Sequence, residues 1–189
     1  MSVFGIIVEG PRDVAVYPAI IRRIRPDVER VVAWPCGGVT EIPKRFVGLL
    51  RGFEYKSIDK ALVIRDSDRK DPQTAEAELN GRLSKSGFEP TSPVHFYATR
   101  CMVETWLLAD EQAVSKIALS RGGTRSIKAV NKRLEEIMDP KVPFRAMLSQ
   151  TGLPDDEKVY EGIASAADLD KIAERCPRFA EFRTYVHAC

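Results

Sequence analysis

Apolar and polar positions follow two rhythms along the first hundred or so residues. Short apolar, β-branched runs occur at residues 3–8, 30–34, 61–64 and 94–97, each closed by a turn signal or a polar break, which is the pattern of buried strands. Between them the apolar positions recur every three or four residues. Val14, Tyr17, Ile20, Ile21 and Ile24 share one face over residues 12–24, and Ile42, Phe46, Leu49 and Leu50 share one over residues 40–52; both spacings are helical. A third helix is expected at residues 73–86. Pro18 falls inside the first helix and is expected to bend it, because proline removes a backbone hydrogen bond. Strands alternating with helices predict a parallel sheet. Beyond about residue 100 the strand signal stops, and helices are expected at residues 102–117, 125–138, 144–149, 157–164, 168–175 and 177–186, separated by glycine and proline breaks. The predicted class is α/β. A sheet of about four mostly parallel strands flanked by helices occupies residues 1–110, and a helical C-terminal extension, residues 111–189, packs on it as part of one unit.

Composition narrows the class without naming a chemistry. At 189 residues, 44% hydrophobic and 30% charged, the chain is an ordinary globular one, with no run of the roughly 20 apolar residues that a membrane span needs. The first residues, MSVFGIIVEG, lack a basic leader and reach Glu9 early, so a cytoplasmic protein without a membrane partner is expected. Cys36, Cys101, Cys176 and Cys189 lie far apart, with no C-x-x-C pair, which argues against zinc and a disulfide framework. A net charge of +2 does not announce nucleic-acid binding in bulk, so any such binding must come from local patches.

The chemistry lies at the strand ends. In GIIVEGPRD the first strand runs into Glu9, at the edge where open parallel sheets bind ligands. The third strand ends in RDSD, and if the strand persists, Asp66 and Asp68 share one face at that same edge. Were strands one and three neighbours, the backbones bearing these acids would lie about 5 Å apart. Such carboxylates repel unless a cation sits among them, and an all-oxygen set favours Mg²⁺ or Mn²⁺. Glu104 follows the fourth strand, and Asp110 lies six residues beyond it. Each acid taken alone equally reads as a helix cap or turn residue. Glu104 and Asp110 equally read as solvent-facing members of a helix that packs Trp106 and Leu107 inward.

IIVEGPRD followed by LVIRDSD resembles the Toprim domain shared by topoisomerases, primases and OLD (overcoming lysogenization defect) nucleases. More closely, VEGPRDVAVYPAII, CGG at residues 36–38, RDSD, MVETWLLAD, DPK at residues 139–141 and CPRFAEFR resemble a small stand-alone bacterial family of OLD-like Toprim proteins of poorly defined activity. The likeness spans nearly the whole chain. It implies a glutamate after the first strand and a DxD after the third holding Mg²⁺, hence Glu9, Asp66 and Asp68. It also implies an acid four residues after the first, here Asp13 in place of the usual glutamate, and one in the segment holding Glu104. OLD-like proteins are often fused to or encoded beside an ATPase, and this chain has no G-x-x-x-x-G-K-[ST] loop. A partner encoded nearby would then supply ATP chemistry, in a context of phage defence.

The expected function is a nuclease using two Mg²⁺ or Mn²⁺ ions and acting on nucleic acid, with DNA ranked ahead of RNA and the choice between them left open by the sequence. In it Glu9 is a ligand or the general base, Asp66 and Asp68 bind metal, and Glu104, with Asp13 and Asp110, completes a second site. Lys141 and Arg100 are the candidates to offset the phosphate's charge. Arg125, Lys128 and Lys132 recur at helical spacing opposite Ile127, Val130, Leu134 and Ile137; that basic stripe either tracks a phosphate backbone or is a solvated face. Two rival classes stay open: a phosphohydrolase or phosphotransferase acting on small nucleotides, and a non-catalytic Toprim-fold module that binds nucleic acid or an ATPase.

Overall fold

Side chains of the first strand, β1 (Ser2–Val8), divide between two cores: Phe4, Ile6 and Val8 face the larger, Val3 and Ile7 the smaller. A strand apolar on both sides belongs in a sheet covered on both faces. The structure, a computed structural model, describes residues 2–38, 40–68, 70–123, 127–130 and 133–188. From β1 the chain alternates through α1 (Pro11–Ile24), β2 (Val28–Pro35), α2 (Ile42–Glu54), β3 (Lys60–Asp66), α3 (Pro72–Lys85) and β4 (Val94–Thr99). All pairings are parallel and the strand order is β2-β1-β3-β4, so the expected α/β fold with β1 beside β3 is the one observed. The carboxyl ends of all four strands therefore lie along one edge.

α2 and α3 cover one face through Phe46, Leu50, Phe53 and Leu79. α1 and the C-terminal helices cover the other, where the Trp106 ring meets Tyr17 at 5.6 Å, Phe182 at 5.1 Å and Phe179 at 4.8 Å. This apolar cluster joins the sheet to the extension, and burying such large rings is a main stabilising term. α1 continues through Pro18 with Tyr17, Ile20, Ile21 and Ile24 of its expected apolar face buried and Val14 half-buried.

Two expected helices are not formed as predicted. Residues 102–117 divide into α4 (Glu104–Leu107) and α5 (Glu111–Ser120), because the Asp110 side chain takes the N–H of Gln112 and starts a new helix there. Of the helix expected at 125–138, the described residues 127–130 are irregular, and Leu134–Glu136 form a single 3-10 turn flanked by extended backbone at Arg133 and Ile137 (ψ 105° and 115°). The Val130 carbonyl accepts from the Arg175 guanidinium, a partner distant in sequence that replaces a helical one. Leu134 is still buried, and Ile127, Val130 and Ile137 still pack on the core. The remaining helices, α6 (Lys141–Thr151), α7 (Glu157–Ala166), α8 (Leu169–Arg175) and α9 (Pro177–Ala188), follow the expected pattern. Among the described residues no helix is long and apolar enough to cross a membrane.

Candidate metal centre

Glu9 is the first residue past β1, and its backbone is fixed from the neighbouring strand. The Cys36 N–H donates to the Val8 carbonyl at 2.8 Å, and the N–H groups of Gly37 and Gly38 both donate to the Glu9 carbonyl, at 2.9 and 2.8 Å. That double approach requires φ values of 96° and 122°, which glycine adopts without a Cβ penalty. The glycine pair is thus a turn that anchors Glu9. On the other side, Glu9 Oε1 accepts from the Asp66 N–H at 2.9 Å. Asp66 closes β3, and its Oδ1 accepts from the Thr99 hydroxyl at the end of β4, at 2.9 Å. Three adjacent strand ends are laced together through the acids themselves.

Two helix starts bring the other carboxylates. Gly10 caps α1 with Pro11 at its first position, and Asp13 Oδ2 reaches back to accept the Gly10 N–H at 2.8 Å. Such a reach satisfies one of the helix's orphan donors. Asp13 is therefore both a cap and a member of the cluster. Glu104 opens α4 and is only 1% exposed. Glu9, Asp13, Asp66 and Glu104 line one cavity of about 340 Å³, together with Arg12 and Lys141. Gly38 and Glu157 complete part of the wall.

The acids carry more negative charge than their surroundings offset. Burial, added to by the charges of Asp13 and Asp68, pushes the Glu9 carboxyl up to about 7 against the helping N–H of Asp66. Burial and then Glu104 push Asp13 up to about 6, opposed by its bond to Gly10. Asp66 is pushed well up by burial and by Asp13 and Glu9, and Glu104 is raised by burial against the charge of Lys141. Arg12, the second cation, is shared with Asp155 at 2.9 Å and lies over the Tyr160 ring. Buried carboxylates raised together mark a site that a cation would settle.

Does the donor set suit Mg²⁺ or Mn²⁺? All five acids of the lining, Glu157 included, are hard oxygen donors, and histidine and cysteine are absent from it. Glu9, Asp13 and Asp66 each commit one oxygen to the chain, and the opposite oxygens accept no hydrogen bond from a described residue. The Tyr17 hydroxyl, fully buried and raised by Asp66, Asp13 and Glu9 after burial itself, has no partner among the described residues. Carboxylate oxygens without a donor, whose charge reaches an orphaned hydroxyl in the adjoining core, fit a site completed by an ion and its water. Among the described residues no three Asp, Glu, His or Cys side chains are arranged to hold an ion as they stand. Mg²⁺ needs only one or two direct carboxylates and keeps several waters, so the set suits a hydrated ion.

Of the expected site residues, Glu9, Asp13, Asp66, Glu104 and Lys141 come together. Asp68 stays outside that lining, although its charge reaches Glu9. β3 ends at Asp66, and Asp68 turns into a left-handed conformation (φ 50°), exposed, in a neighbouring cavity, so the alternation that would have put both aspartates on one face never applies. Asp110 lies elsewhere, accepting from the Asp168 N–H at 2.9 Å and pairing with Lys171 at 3.1 Å; it is a helix cap held by a lysine. Arg100 is exposed and lines a separate cavity with Arg178 and Glu135. Lys128 is exposed in irregular backbone rather than on a helix, and Arg125 and Lys132 lie outside the described residues. Arg12 and Tyr17 were not among the expected site residues. Tyr17 follows Asp13 by one helical turn in DVAVY, and that i, i+4 spacing was the available signal. No protein-family model, curated protein or solved structure matches the chain.

Proposed function

We propose that this chain is a Mg²⁺- or Mn²⁺-dependent nuclease of the Toprim type, cutting phosphodiester bonds in the cavity at the carboxyl edge of the sheet. The observation that carries this reading is the convergence of Glu9, Asp13, Asp66 and Glu104, raised together, beside Arg12 and Lys141. Asp66 would hold one ion, leaving Glu9 Oε2 free to act on the water, with Asp13 and Glu104 available to a second ion. An ion there supplies Lewis acidity and a water made more acidic. Glu9, whose proton affinity sits near neutrality, accepts the proton of the attacking water on Oε2. Arg12 and Lys141 offset the phosphate's charge where the acids alone would repel it. The hydrogen bonds from Asp66 N–H and Thr99 keep the two central carboxylates from swinging away. The family resemblance adds DNA as the substrate, a cytoplasmic setting, a role in phage defence and a separate ATPase as partner.

The test is incubation of the purified protein with plasmid, linear DNA and RNA in Mg²⁺, Mn²⁺ or EDTA, beside Glu9→Gln and Asp66→Asn. Ion-dependent cutting that both variants lose is the expected result. Cutting that persists in EDTA, or in both variants, overturns the reading. Turnover of free nucleotides with all three polymers left intact would select a small-nucleotide phosphohydrolase instead.

A further inference from the structure

The acidic cavity has a neighbour. A second cavity, of about 480 Å³, shares Lys141 with it as a common wall, so whatever occupies one adjoins the other. Part of its wall is built from two turns of unusual backbone. Asp68 and Cys101 are both left-handed (φ 50° and 61°), and the Asp68 N–H donates to the Cys101 carbonyl at 3.2 Å. The Cys101 N–H in turn donates to the Ser67 hydroxyl oxygen at 3.3 Å. Residues with a Cβ hold that conformation only where their surroundings enforce it, and such enforced turns cluster at ligand sites. Here the paired turns bring Ser67, Lys70 and Met102 onto one space.

The lining is neither purely polar nor purely apolar. Lys70 and Arg65 both lean on Glu78, at 2.9 and 3.6 Å, and Asp68 and Asp139 add two carboxylates to the wall, which leaves Lys141 as the cation without an acidic partner there among the described residues. Against these charges stand two thioethers, Met102 and Met138. Met138 is 63% exposed, and Val142 just beyond it is 64% exposed. An uncovered methionine beside lysines suits a flat aromatic group that carries phosphate, because thioether sulfur packs favourably against aromatic rings. The volume is that of an ordinary ligand site.

We infer that this second cavity receives the nucleotide adjoining the bond that is cut, its base lying against Met138 and Met102 and its phosphate turned toward Lys141 and Lys70. The inference rests on the nuclease reading of the neighbouring cavity, and it makes that site asymmetric: one side of the scissile phosphate is gripped through its base. A probe of binding alone separates the two ideas. Fluorescence anisotropy with a short labelled single-stranded oligodeoxynucleotide, in Ca²⁺, is measured for the intact strand and for strands carrying one abasic residue at each position in turn. In the wild type one abasic position should weaken binding by roughly five- to tenfold. In Met138→Ala, an exposed substitution whose fold is checked by its melting temperature, that penalty should shrink to within about twofold. Equal binding of every abasic strand by the wild type, a penalty undiminished in both Met138→Ala and Met102→Ala, or no binding of the intact strand overturns the assignment. A Met138-dependent base position on a strand that is never cut would keep the nucleotide site and refute the metal-dependent nuclease.

Discussion

Asp110 and Asp66 are buried to a similar depth, 4% and 8% exposed, yet their carboxyls move in opposite directions. At Asp110 burial pushes the group up, but the Asp168 N–H, the Lys171 ammonium and the Gln112 N–H outweigh it and hold the carboxyl below its ordinary value. At Asp66 burial is joined by Asp13 and Glu9, and the Thr99 hydroxyl is too little to offset them. One acid is satisfied by the chain and the other is not. Both ideas were open for both residues in the sequence; what separates them is the partner each meets in space. Burial by itself does not make a site, whereas burial with unmet charge does.

The sharpest way to break this contrast is to neutralise each acid in turn. Asp66→Asn and Glu9→Gln should each lower ion-dependent cutting by about a hundredfold or more, while Asp110→Asn should leave the rate within about twofold; initial rates on plasmid at saturating Mg²⁺ decide it. Stability should invert the order. Asp110→Ala leaves Lys171 with Glu111 alone and two N–H groups without their acceptor, so it should cost on the order of 3 kcal/mol in urea unfolding. Asp66→Asn should cost far less when no ion is present, because it relieves repulsion.

A pH series sharpens the same comparison. Glu9 and Asp13 have folded-state values of about 7 and about 6 against ordinary values of 4.5 and 3.8. The folded chain therefore binds their protons more tightly than the unfolded chain does. Their contribution to stability is fully present below about pH 4 and is lost as the pH rises through about 6 and 7. In EDTA the melting temperature should fall across that window, equivalent to about 1–3 kcal/mol once coupling between the acids is allowed for. Glu9→Gln should flatten the fall, and Mg²⁺ should reverse it. The smallest expected effect is at Tyr17. Removing an orphaned hydroxyl, Tyr17→Phe should raise stability in EDTA by up to about 1 kcal/mol and should reduce the extra stability that Mg²⁺ confers.

Much of the frame was legible because it depends on local rules. The alternating runs give the four strands, and their parallel order follows from the helices between them; Glu9 and Asp66 then fall at the ligand edge without further assumption. Asp13 and Lys141 were reached only through resemblance, since nothing in a lone i+4 acid or in DPK says that α1 and α6 begin beside the same strand ends. What sequence could not give is decided at long range. The end of β3 at Asp66 depends on Asp68 turning to meet Cys101, 33 residues away by number (101 − 68). Likewise the amphipathic stretch after Arg125 packs its apolar residues as a helix would, but Arg175 takes the Val130 carbonyl and the described backbone stays irregular. Lys128, the one described member of the basic stripe expected there, stands in irregular backbone.

The central claim is that the cavity holding Glu9 and Asp66 takes up a divalent ion, and the most direct measurement is Mn²⁺ titration near neutral pH, followed by the electron paramagnetic resonance of the free ion. The wild type and Asp110→Asn should deplete the free Mn²⁺ signal equally, and Asp66→Asn should deplete it clearly less. Equal depletion by Asp66→Asn, or none by the wild type, contradicts the account.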